Sequence, residues 1–121
     1  MGARQSRADR VQHARVDTIL GEPVLLLSGD LDVRCTGELR AAVHEHIRRC
    51  GTDRVSPVVI DISDVVSVDA TALKVIAAAS RQAQQYGVRV VLRGAQPAVR
   101  RMLHLTHLIR LIELEREPIP A

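Results

Sequence analysis

The five residues VVIDI (58–62) limit what this chain can become more than any other segment. The run is too short for a helix, and four of its five side chains are apolar and β-branched. That combination predicts a central strand covered on both faces. Such a strand needs sheet neighbours and helices laid over them, and the flanking sequence supplies both. Residues 70–86 place Leu73, Ile76, Ala77, Ser80 and Ala83 on one helical face and close at Gly87, a good C-terminal residue. Residues 37–50 do the same with Leu39, Val43, Ile47 and Cys50, leaving Arg40, Glu45, Arg48 and Arg49 for water.

The remaining segments extend this alternation. Residues 11–20 read as a strand, GEP (21–23) as a turn, and VLLLSG (24–29) as a second strand forming a hairpin with the first. VRVVLRG (88–94) predicts another strand. AQPAVRRMLHLT (95–106) predicts a third helix, with Pro97 where a first-turn proline is tolerated. LIRLIELE (108–115) predicts the last strand, and the prolines of the closing REPIPA keep it out of the sheet. The order β-β-α-β-α-β-α-β implies an α/β fold: a mixed sheet of about five strands joined by right-handed crossovers, with helices packed on it. One domain is expected over residues 11–115, with a flexible basic tail at 1–10 and a short tail at 116–121.

Composition narrows the function. The chain has no Phe or Trp and a single aromatic, Tyr86, so it lacks the platforms that stack on bases. Of its 17 basic residues 16 are Arg, and Arg4, Arg7, Arg10 and Arg15 cluster at the start. That cluster reads as a solvated arm. With it set aside the domain is near neutral, so neither a nucleic-acid nor a membrane partner is expected. The isolated pair Cys35 and Cys50 is no disulfide framework, and a reduced, cytoplasmic protein is expected. Cys35, in a loop, is expected to be partly exposed.

The glycines stand singly, so no phosphate loop is present. His44 with His46, and His104 with His107, lack a purposeful third ligand. They are expected on the surface or half-buried, and neither a metal nor a cofactor is expected.

Two places retain interest. Asp30 and Asp32 flank Leu31 and read either as a carboxylate pair or as turn-formers charging the next helix start. The junction SVDATAL (67–73) follows the buried strand directly. In a parallel sheet functional groups collect at the carboxyl ends of strands. There the Asp69 carboxylate can cap the helix by accepting from the free N–H groups of Thr71 or Ala72.

These pieces together resemble a known family. LSGDLDV (27–33), PVVIDISDVVSVDATAL (57–73), VRVVLRG and PAVRRMLHLTHL, in this order, are similar to the STAS-domain family and, within it, to single-domain anti-sigma factor antagonists. The resemblance covers residues 11–115. It implies a STAS-like sheet and a binding protein rather than an enzyme. The expected partner is an anti-sigma factor, often with a histidine-kinase-like ATPase domain. Binding it releases a sigma factor for transcription.

The family motif at the junction reads Asp-Ser-Ser-Gly-Leu, and the kinase phosphorylates the serine after the aspartate while a phosphatase reverses it. Here that position is Ala70, Thr71 matches the second hydroxyl, and Ala72 replaces the glycine. Three outcomes follow: Thr71 serves as the phosphoacceptor, the protein is permanently active, or it is a scaffold module binding other STAS or regulatory proteins. The resemblance places the partner-binding surface at Asp30, Asp32, Asp69, Ala70, Thr71 and Lys74, with Arg81 a further candidate. Val66, Val68, Ala70 and Leu73 are expected to make that surface apolar.

Overall fold

The computed structural model of the protein describes residues 13–52 and 55–115. The expected tails at 1–10 and 116–121, and the first two residues of the expected first strand, lie outside the described residues. The element order is the expected one. Strands β1 (Ala14–Ile19) and β2 (Glu22–Leu31) are followed by a 3-10 turn (Val33–Cys35) and helix α1 (Thr36–Cys50). Then come β3 (Val58–Val68), α2 (Ala70–Gln85), β4 (Val90–Arg93), α3 (Pro97–Leu105), a second 3-10 turn (Leu108–Arg110) and β5 (Glu113–Leu114).

The strands form one sheet in the order β1-β2-β3-β4-β5, antiparallel at β1–β2 and parallel elsewhere. Because neighbours in the sheet are also consecutive in the chain, right-handed crossovers carry all three helices to the same face. On that face Leu25, Leu27, Ile60, Ile62 and Leu92 meet Leu39, Val43, Leu73, Ile76, Val99 and Leu103 in the main core. The opposite face buries a small cluster of Val24, Val59 and Val91. Strand β3 therefore contributes to both clusters, as a strand with apolar residues at consecutive positions must.

Three local expectations are corrected. The hairpin turn is Leu20–Gly21, both at positive φ, and not residues 21–23. Such turns match the twist of paired strands, so Glu22 and Pro23 already pair with β1. Strand β2 also runs on through Asp30 and Leu31, because β3 extends to Val68 and offers them partners. At the other end the expected strand 108–115 shrinks to two residues. His107 stands at φ 61°, which ends α3 and starts a 3-10 turn that brings Leu108 and Ile109 against the core.

Gly94 closes β4 at φ 76°, and a Cβ there would stand 2.8 Å from Ser63 Cβ. Gly94→Ala is expected to lower the unfolding free energy by about 2 kcal/mol, from left-handed strain plus the shift forced on Ser63. Urea denaturation checks this; an unchanged midpoint would mean that the turn relaxes freely.

Candidate functional site

Strands β2 and β3 end side by side, with Asp30 opposite Ser67 and Leu31 opposite Val68. Each chain then turns into a helical segment whose first N–H groups lack partners within the helix. Asp69 serves both turns. Its Oδ1 accepts from the N–H of Ala72 at 2.9 Å, capping α2. Its Oδ2 accepts from the N–H of Val33 at 3.0 Å, 36 residues away, and its own N–H donates to Leu31 O at 3.0 Å. One carboxylate thus locks the β2 exit to the α2 start.

The two other aspartates are occupied separately. Asp30 Oδ1 accepts from Ser67 Oγ at 2.7 Å. Asp32 caps the first 3-10 turn by accepting from the Arg34 N–H at 2.9 Å and is also bound by the Arg34 guanidinium. Those hydrogen bonds hold the Asp32 carboxyl below the usual carboxylate range. Asp30 and Asp32 therefore act as strand-end and turn residues, each with its own donor, and not as a facing carboxylate pair.

Around this hub the surface is mixed. Val33 and Val66 are 63% and 68% exposed, and Val68 and Ala70 are half-buried. Leu73 is not part of the surface: at 1% exposure it points into the core. The reason is the helical phase, since Leu73 shares its face with Ile76 and Ala77. Thr71 and Lys74 are exposed on the side of α2 facing α1, and with Arg40 and His44 they line a groove of about 230 Å³. Arg81 lies farther along α2, beside a separate hollow shared with Leu108 and Leu111.

The structure thus joins Asp30, Asp32, Asp69 and Ala70 at the strand ends and sets Thr71 and Lys74 one step around the helix. Sequence reasoning missed Ser67 and the N–H of Val33, since no local spacing announces partners on another strand or loop. It also missed Arg34, whose place two residues after Asp32 in the same turn was a local signal. Arg40 and His44 read as ordinary outward-facing positions of α1.

Two further residues depart from expectation. Cys35 is buried, donates to Asp32 O at 3.2 Å, and has its thiol pKa pushed up by burial. It is a packing residue and not a reactive thiol. His46 is not near the surface but 2% exposed, with Nε2 3.0 Å from Val59 O and Nδ1 3.6 Å from Cys50 Sγ. Among the described residues no group of three or more His, Cys, Asp or Glu is placed to hold a metal ion. None of the described helices is long and apolar enough to cross a membrane.

The same architecture recurs in known proteins. An anti-sigma factor antagonist from Mycobacterium paratuberculosis is 24% identical, with a TM-score of 0.66 over 86% of this chain and 85% of that one. The unphosphorylated anti-sigma factor antagonist SpoIIAA is 15% identical, with a TM-score of 0.60 over 87% of this chain and 89% of that one. The murine solute carrier 26 member A9, an anion transporter, gives 0.63 at 20% identity, but the match spans 83% of this chain and only 17% of the transporter. At such identities the likeness establishes the fold, and the fold serves proteins of different function. The model of the family described as "Mlab, STAS domain" matches residues 14–113, most of the chain. With its five-stranded mixed sheet, helices on one face and an aspartate-capped helix after the central strand, the chain belongs to the STAS-domain family.

Proposed function

We propose that the protein is an anti-sigma factor antagonist: it docks on an anti-sigma factor with a histidine-kinase-like ATPase domain and so frees a sigma factor. The observation that carries this reading is the junction held by Asp69. It presents Ala70 and Thr71 at a rigid helix start beside exposed Val33 and Val66. A rigid, partly apolar platform suits binding, because little ordering entropy is lost on docking. The similar protein SpoIIAA has been solved both unphosphorylated and phosphorylated.

In this chain the switch position is silent. Ala70 has no hydroxyl, so the family's usual phosphoacceptor is missing and lasting association is favoured. A phosphate brings nearly two negative charges, and moving a complex from almost all bound to almost all free takes about 5.5 kcal/mol of differential affinity. Thr71 supports a second reading, since its exposed side chain is the next hydroxyl along.

Co-purification of the tagged chain from its native cells, followed by incubation of the recovered partner with ATP, tests the proposal. Recovery of a kinase-like anti-sigma factor that leaves the chain unmodified is the expected result. Phosphate on Thr71 with release of the partner would move the reading to a switched antagonist, with a phosphatase to reset it. Recovery only of other STAS or sensory proteins would make the chain a scaffold and remove the sigma factor.

A further inference from the structure

Charge is unevenly spread along this chain. Between Ala70 and Ile112 there are seven Lys or Arg residues and no Asp or Glu. Two of the seven, Arg89 and Arg93, are neutralised by Glu113 and Glu115 at the far edge of the sheet. Lys74 and Arg81 on α2, and Arg40 on α1, are exposed and form no ion pair among the described residues. The acids of α1 do not compensate, because Glu45 is taken by Arg48 and Arg49 and Glu38 does not line the hollows between α1 and α2.

Arg40 and Lys74 border a groove between the two helices, while Arg81 stands beside the hollow of Leu108 and Leu111. Two hollows of about 390 and 230 Å³ run between α1 and α2 and share His44, Ala79 and Gln82. Ile47, Val75 and Ala83 line them with Ala79, Arg40 and Lys74 stand toward one end, and Tyr86 closes the other. Alanines along the floor let another backbone come close. The 16 residues of α2 give the groove the length of a four-turn helix. An apolar floor with the unpaired cations Arg40 and Lys74 at one end is the complement of a helix with one apolar face and acidic residues at its matching end.

We propose that the groove between α1 and α2 docks an acidic amphipathic helix of a partner protein. The inference goes beyond the antagonist reading and does not depend on the partner being an anti-sigma factor. A nucleic acid fits the groove less well, since Tyr86 is the only stacking platform and the floor is apolar. A membrane fits less well too, because the floor side chains are recessed and cannot insert.

The probe is a fluorescein-labelled peptide of about 18 residues, with Leu at helical core spacing and Glu elsewhere, followed by anisotropy. It should bind the full chain, bind more weakly as salt rises, and lose about tenfold in affinity to the double variant Arg40→Glu, Lys74→Glu. Gln82→Trp, which fills the groove from an exposed position, should block it. Both variants change surface residues, and circular dichroism confirms that they fold. The same peptide with Lys in place of Glu should not bind.

Equal binding of the acidic peptide to wild type and both variants, or no binding at all, overturns the proposal. So does a basic surface that instead captures duplex DNA or phosphatidylglycerol vesicles equally in wild type and in Gln82→Trp.

Discussion

Asp69→Ala is expected to lower the unfolding free energy by about 3 kcal/mol and to loosen both turns at the docking end. Two separate N–H groups lose their acceptor. Loss of the cap on Ala72 costs about 1 kcal/mol, as for other N-cap aspartates. The tie to Val33 is a charged hydrogen bond across 36 residues of chain, and such bonds contribute about 1.5–3 kcal/mol.

Asp69→Asn separates the two. Asn caps helices nearly as well, but its amide turns a donor toward the N–H of Val33, so only the long-range tie is lost. Urea unfolding should place Asn about two-thirds of the way from wild type to Ala. Hydrogen exchange should quicken at Val33 in both variants and at Ala72 only in Asp69→Ala. If Asp69→Ala leaves the midpoint unmoved, water takes the place of the carboxylate and the hub is not what joins the strand ends.

His46→Ala should be comparably costly, at about 3 kcal/mol, through the cavity left in a closed core and the hydrogen bond lost at Val59 O. The same side chain makes stability depend on pH. Burial lowers the His46 pKa below its usual value, because a charged imidazole loses its hydration there. In the unfolded chain it titrates near the ordinary value of about 6.5. Between the two values the unfolded state holds more protons, so stability rises with pH in that window. The contribution is complete above about pH 6.5 and is lost as pH falls toward the lowered folded value. His46→Leu keeps much of the volume without titrating, so unfolding followed from pH 7 to 5 should show a shallower decline than wild type. A decline of equal slope in both proteins would assign the acid sensitivity elsewhere.

Much of the frame was legible because periodicity encodes burial. VVIDI announced a strand covered on two faces, and it feeds two clusters. Leu73, Ile76 and Ala83 announced the inward side of α2, and all are buried. Asp69 announced a cap, and it caps through Ala72. These are local signals: spacing of three to four residues, or a carboxylate just before a helix.

The errors come from segments whose local pattern fits two arrangements. His46, expected on the surface or half-buried, shares the face of α1 that carries Leu39 and Val43, which brings its imidazole onto Val59 O of β3. Leu73 could not serve both the surface and the core, and the helical phase assigns it to the core. The last strand was read too long because its alternating apolar residues fit a sheet edge as well as a 3-10 turn, and His107 decides between them.

Sequence alone therefore determined the order of elements, the STAS resemblance, the capped junction and the loss of a hydroxyl at Ala70, all properties of neighbours in the chain. Only the tertiary structure decided that Asp69 also holds Val33, that Arg40 faces Thr71 and Lys74 across a groove, and that His46 is sealed inside. Those contacts join residues 13 to 36 positions apart. They exist because β2 and β3 end at the same level and the helices lie over one face, an arrangement that no local spacing records.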